Sequence, residues 1–407
     1  MAKIGNPGAG RPLVDFVCQS SMGPSEGGLE TWAYQFLPGL LQLYPDARLR
    51  FYGALPESRE NPGSIMKQAA GADHLRIKPE FFPITPGKVP QIVSMIRQFL
   101  ARKRGSAVTA PDIVITAGTF LELIMVQLSP ATRRAFKVAW LRTIWVDQKT
   151  YRIPAFLRDT VRGIEARILR GADLVLANGS DIAERYGDYG VAVQVIHNAV
   201  DTDRWRAPPP ALGDPIRVAF VGRLAIDKGI VAFIELARVV RGGPLRDRVS
   251  FEVYGHLGEE ALVAAAKVEG VVAWSGAVDN AALPRVLSGI DVCAALTYSD
   301  QERGGGGTSN AMMEQLAAGR ILLAWDNPIF RQWLNTDNAY LARQGDVAGL
   351  AACLGAILAD RDEALRRAEN GRNMMAEFGI AAMMTKFDRV LRAGLADRGL
   401  GKILPEF

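Results

Sequence analysis

The stretch IRVAFVGRLAIDKGI, Ile216–Ile230, decides the reading of this chain. Its first six residues are the kind of short, β-branched and aromatic run that fills a strand buried on both faces. Gly222 ends that run, and a residue without a side chain lets backbone come close to a ligand. Arg223 follows at once, and Lys228 stands where a helix is expected to begin. Cations at a helix N-terminus oppose the helix dipole unless an anion lies between them. The pattern therefore favours a phosphate-bearing ligand, with Arg223 gripping oxygens in a fork and Lys228 adding a point charge. By itself the stretch also suits an ordinary strand–helix turn with two surface cations.

About eighty residues on comes GGGGTSNAMMEQLAAG, Gly304–Gly319. Glycines run into Gly307, Thr308 and Ser309, and either hydroxyl can cap the helix that follows. The free N–H groups of its first turn are a ready anion site. Glu314 falls in the second turn, where a carboxylate can accept hydrogen bonds from ribose hydroxyls. The competing reading is a glycine loop before a capped helix that buries Ala311, Met312, Leu316 and Ala317, with Glu314 in solvent. A third turn, SEGGLETW, opens a helix at Gly27 and Gly28 near the other end of the chain, and is a weaker signal.

Apolar runs alternate with helix-length amphipathic segments around these motifs. Strands are expected at Leu13–Cys18, Leu49–Tyr52, Ile113–Thr116, Lys137–Leu141, Leu174–Ala177 and Val193–Ile196 in the first half. Those of the second half are Ile216–Val221, Ser250–Tyr254, Val271–Trp274, Val292–Leu296 and Ile321–Ala324. Helices between them include Gly28–Leu43, Pro90–Arg102, Ala155–Leu169, Gly229–Val240, Glu259–Val268 and Ser309–Ala318. Such alternation builds parallel sheets covered by helices, the α/β class. A proline-rich stretch, APPPALGDP, interrupts it, and a hinge is expected at Asn198–Gly213. The expected domains are 1–200, 201–380 and a final helical segment, 381–407. Ligands of such sheets bind beyond the carboxyl ends of the strands.

The length of 407 residues suits two domains, and the 49% hydrophobic and 22% charged residues are those of an ordinary globular protein. The first 200 residues carry an excess of about seven cations, and the rest is slightly acidic. That excess suits a phosphorylated acceptor or an anionic membrane surface, or is simply solvated charge. Three scattered cysteines fit a reducing cytoplasm, and the N-terminus does not read as a signal peptide. No apolar run is long enough for a transmembrane helix. Peripheral contact with the inner face of the plasma membrane is a further expectation; nucleic acid is not an expected partner.

Four segments together resemble the retaining glycosyltransferases of family four, the glycosyl transferases group 1. These are GGLE at Gly27–Glu30, HNAVDTDRW at His197–Trp205, VGRLAIDKG at Val221–Gly229 and GTSNAMMEQLAAG at Gly307–Gly319. The resemblance implies a GT-B fold, two Rossmann-like doubly wound domains facing a cleft. It also implies transfer of a hexosyl group from a nucleotide-diphosphate-sugar to a glycan or lipid-linked acceptor. It places Arg223 and Lys228 on the diphosphate with Gly222, Gly307, Thr308 and Ser309 near it, Glu314 on the ribose, and Gly27 and Gly28 near the phosphate and the transferred sugar. No metal and no cofactor is expected.

The sequence departs from the family pattern twice. A second Glu commonly precedes the one matching Glu314; here that position is Gly306, and Glu302 lies a few residues upstream. A His common after a first-domain strand is replaced by Arg142, in VAWLRT. An Arg is no base at neutral pH, but it can hold a sugar hydroxyl, a phosphate or an anionic acceptor. Arg142 and Glu302 are therefore candidates for catalysis, and the departures keep two alternatives in view: a non-catalytic binding or scaffold relative, and a GT-B sugar-nucleotide epimerase. Asp201 and Asp203 resemble an acidic metal triplet, in a turn where the family uses no metal. His74, His197 and His256 have no zinc spacing.

Overall fold

The computed structural model describes residues 11–18, 28–54, 76–82, 96–97, 99–100, 109–144, 146, 153–299 and 309–404. The chain divides into two compact units, Met1–His197 with Ile380–Phe407, and Asn198–Gly379.

The first unit is built on seven strands: β1 (Leu13–Cys18), β2 (Arg48–Ala54), β3 (Ile77–Phe82), β4 (Ile113–Gly118), β5 (Phe136–Leu141), β6 (Leu174–Ala177) and β7 (Gln194–Val195). They pair in parallel in the order β3-β2-β1-β4-β5-β6-β7. The strand order reverses between β1 and β4, so the crevice expected to take a ligand opens at their carboxyl ends. Helices α1 (Gly28–Leu43), α2 (Phe120–Leu128), α3 (Ala155–Leu169) and α4 (Ser180–Gly187) flank the sheet. Thr119 and Glu122 form a reciprocal capping box at the start of α2. Of the expected helix Pro90–Arg102, residues 96, 97, 99 and 100 are described, and all four are helical.

In the second unit the order is β10-β9-β8-β11-β12-β13, again all parallel. These strands are β8 (Ile216–Val221), β9 (Val249–Tyr254), β10 (Ala273–Trp274), β11 (Val292–Ala295), β12 (Ile321–Asp326) and β13 (Tyr340–Arg343). Its principal helices are α5 (Ile230–Arg241), α6 (Glu260–Val268), α7 (Asn310–Ala317), α8 (Val347–Ala359) and α9 (Arg361–Met375). The reversal here lies between β8 and β11, so that crevice belongs to the two motifs that opened the sequence reading. The last helix, α10 (Ile380–Asp397), belongs to the first unit, where its Phe387 stacks on Trp140 with ring centroids 5.4 Å apart.

One device sets register three times at the amino ends. Asp112, Asp173 and Asp291 each precede a strand and hold the strand beside it. Their carboxylates accept the backbone N–H groups of Leu13, Lys137 and Arg217 at 2.8, 2.7 and 2.9 Å. Their own N–H groups donate back to the carbonyls of the same three residues. A strand that slipped one residue would lose both bonds and turn its apolar face outward.

The stretch Asn198–Gly213, expected as a hinge, belongs wholly to the second unit. Three arginines strap it there: Arg372 donates to the Ala207 carbonyl at 2.9 Å, Arg361 to Leu212 at 2.6 Å, and buried Arg320 to Pro208. Trp205 and Leu212 are buried in that unit's core. Prolines leave carbonyls with no ladder partner, and the guanidinium forks supply the missing donors.

Candidate functional site

The turn after β8 is shaped by glycine. Gly222 has φ +148°, and a Cβ there would meet open space. Gly229 has φ +87°, and a Cβ there would sit 2.3 Å from the Leu296 carbonyl oxygen. Only glycine lets the turn press against the end of β11. The contact is fixed by the Tyr298 N–H, which donates to the Asp227 carbonyl at 2.9 Å. Lys228 is therefore seated where β8 and β11 part, beside the connection that leads to α7.

Arg223 is exposed and Lys228 is half-buried. The Lys228 amine has its pKa lowered, first by loss of water and then by the positive charge of Arg223, while Asp227, 3.8 Å away, opposes the shift. The repulsion that Arg223 exerts on Lys228 is relieved by an anion bound beside them.

Ser309 caps α7, its Oγ accepting from the Met312 N–H at 3.3 Å. The remaining first-turn N–H groups of α7 point toward the carboxyl edge of the sheet. Glu314 follows one turn on. It is half-buried, and desolvation of its carboxylate pushes its pKa up to about 7, with Arg204 pulling the other way. The solvent-exposed alternative for Glu314 does not hold. A carboxylate held near neutrality is stabilised by any hydroxyl that donates to it.

Arg204 lies within HNAVDTDRW, where residue type alone assigns it no role. It donates to the Asn280 carbonyl at 2.7 Å and is the cation nearest in effect to Glu314. Asn198, beside the unit boundary, donates to the Asn310 side chain at 2.5 Å, at the first residue of α7. These are long-range contacts that no local pattern announces.

In the first unit, Gly28 is the first residue of α1. Arg142 directly follows β5, and its backbone N–H donates to the Gly118 carbonyl at 2.8 Å. Its guanidinium lies over the Trp32 ring, 4.1 Å from the centroid. His197 lies with Nδ1 3.3 Å from the Asn178 carbonyl, to which it donates when that nitrogen carries the proton, and burial lowers its pKa. His256 is exposed. Gly27, Glu302, Gly306, Gly307 and Thr308 lie outside the described residues. Among the described residues no three His, Cys, Asp or Glu side chains gather as a metal-binding group, and no helix is long and apolar enough to cross a membrane.

Two Rossmann-like units, each with its crevice at a strand-order reversal, define a GT-B architecture. Two family models match in tandem: Glycosyltransferase Family 4 over residues 26–204 and Glycosyl transferases group 1 over residues 215–360. Between them they span most of the chain, and the protein belongs to this group of glycosyltransferases. None of the curated proteins matches it in sequence. Among solved structures it is similar to Anabaena HepE in complex with UDP-glucose, at 15% identity and a TM-score of 0.70, covering 94% of this chain and 99% of that one. It is also similar to sucrose-phosphate synthase from Thermosynechococcus elongatus, at 16% identity and a TM-score of 0.74, covering 95% and 100%. A third is the lipopolysaccharide outer core galactosyltransferase WaaB, at 16% identity and a TM-score of 0.64, covering 94% and 99%. At these identities the likeness is one of fold.

Proposed function

We propose that the protein moves a hexosyl group from a nucleotide-diphosphate-sugar to a glycan or lipid-linked acceptor, with retention of configuration. The second unit holds the donor and the first the acceptor. The observation that carries this reading is the bond from Tyr298 to Asp227, which ties the Lys228 turn to the connection feeding α7. That bond supports the reading in which two anion-seeking elements share one crevice. HepE, of like fold, was solved with UDP-glucose, which supports a donor of this class.

Departure of the nucleoside diphosphate builds negative charge on its terminal phosphate. Arg223, Lys228 and the amides at the start of α7 are placed to stabilise that charge before it forms. Glu314 takes the ribose hydroxyls. In the retaining path, the departing phosphate oxygen accepts the acceptor's proton on the face where the new bond forms. This suits a site in which Arg142 replaces a titratable histidine. No cofactor enters the proposal.

A thermal-shift panel of nucleoside diphosphates and nucleotide-sugars tests the donor, since selective binding raises apparent stability by mass action. Release of nucleoside diphosphate in the presence of candidate acceptors tests transfer. Stabilisation by nucleotide-sugars with no release under any acceptor would refute the transferase and leave a binding protein; conversion of the donor sugar without acceptor would point to an epimerase.

A further inference from the structure

Arg142 is an unusual buried cation. Its Nε and Nη1 are enclosed and have no hydrogen-bond partner among the described residues. It lies over the face of Trp32, an attraction that holds the guanidinium plane but satisfies none of its N–H groups. Burial pulls its pKa down to about 9, and no carboxylate among the described residues offsets the loss of water.

The neighbours repeat the imbalance. Trp140 and Arg142 stand two residues apart, so strand alternation puts both on the sheet face that α1 covers. Trp140 meets Trp32 edge to face, with centroids 4.7 Å apart. The indole Nε1 groups of both tryptophans are buried and also without a partner among the described residues. Three side chains thus offer donors in one region, and among the described residues none of them is answered by an acceptor. Such groups are costly to bury unpaired.

Location adds a second argument. Arg142 leaves the carboxyl end of β5, one strand from the β1/β4 reversal, and lies on the second turn of the sixteen-residue α1. The N-terminal end of that helix carries partial positive charge. A guanidinium and a helix N-terminus on one side of a sheet repel each other until an anion joins them. Arg142 as a residue keeps intermediate exposure, although its Nε and Nη1 are enclosed.

We propose that Arg142, framed by Trp32 and Trp140, receives an oxyanion carried by a sugar substrate, either a carboxylate or a phosphate. The guanidinium fork matches two oxygens of one anion. This rests on the transferase reading for the word substrate; the oxyanion site itself does not.

The test uses the full chain and three probes: glucuronate, glucose 6-phosphate and glucose. Affinity is measured by calorimetry for the wild type, Arg142→Met, Arg142→Lys and Lys228→Ala. Saturable binding is expected for at least one charged sugar, at least tenfold tighter than for glucose, and the tighter of the two identifies the anion. Arg142→Met should abolish that preference while melting no lower than the wild type in anion-free buffer, because an unpaired buried charge has been removed. Arg142→Lys keeps charge without the fork and should weaken binding at least tenfold; it decides the matter if Arg142→Met does not fold. Lys228→Ala should leave the preference intact. Equal affinities for charged and neutral sugars, the same preference in wild type and Arg142 variants, or its loss in Lys228→Ala would each overturn the proposal. Nucleoside diphosphate binding, measured in parallel, separates the two readings: its absence with the charged-sugar preference intact sinks the transferase and not the oxyanion site.

Discussion

Glu314 offers a test in which proton linkage isolates one side chain. Its carboxyl pKa stands at about 7 against an ordinary value of 4.5. The sign follows directly: the folded protein holds this proton more tightly than the unfolded chain, so stability is greatest below the unfolded value. It falls as pH rises toward 7 and is flat above. A shift of this size corresponds to about 3 kcal/mol. That is an upper bound, because the side chain is half-buried and partly screened by water. Glu314→Gln keeps the shape and removes the titration. Unfolding of wild type and variant, followed by urea titration between pH 4.5 and 8, should show the variant gaining relative to the wild type as pH rises, with the gain complete near pH 7. Binding reverses the sense. Ribose hydroxyls donate to the ionised carboxylate, so affinity for a nucleotide-sugar, whose diphosphate does not titrate in this range, should climb with pH from 5.5 to about 7, and the variant should bind weakly with little pH dependence. A stability difference that stays constant from pH 4.5 to 8 would refute the burial argument. A pH-independent affinity in the wild type would refute the ribose role.

Lys228→Ala removes one charge-assisted contact to the leaving group and should cost about 3–4 kcal/mol in the transition state, roughly a hundredfold or more in turnover, with the melting curve preserved. Near-normal turnover would remove Lys228 from the diphosphate. Gly229→Ala forces a side chain into φ +87° and into the Leu296 carbonyl, so it should destabilise the second unit by about 2–4 kcal/mol, read as a lowered urea midpoint. Asp15 is fully buried and pairs with Arg50 at 2.6 Å; Asp15→Ala strands that cation and should cost about 3–5 kcal/mol in the first unit. An unchanged midpoint in either variant would contradict the packing described.

The central strands were legible because a strand buried on both faces must be apolar along its whole length. Leu13–Cys18, Leu174–Ala177 and Ile216–Val221 stand where the sequence places them. Two strands were not read, β3 and β13, and both are edge strands. IKPEFF carries Pro79, whose missing N–H argues against a central strand but is tolerated at an edge. YLAR is four residues long and ends in a charge, too little for any period to show.

The candidate donor site was legible for a related reason. Glycine next to a cation or a capping hydroxyl is a local requirement of a backbone that turns around an anion, so Gly222, Lys228 and Ser309 could be picked out one by one. Their placement at the same end of one sheet is not local. It depends on the reversal of strand order between β8 and β11, and on the Tyr298 bond across it. The sequence by itself determined the parallel α/β class, the family and the chemistry of the phosphate-seeking turns, because those follow from residue type and short-range spacing. Only the tertiary structure decided that the proline-rich stretch is strapped to the second unit, that Glu314 is driven toward neutrality, and that Arg142 is buried against Trp32 with its fork unanswered. Each of these is set by how much water and which partners surround a side chain, and those partners come from distant parts of the chain.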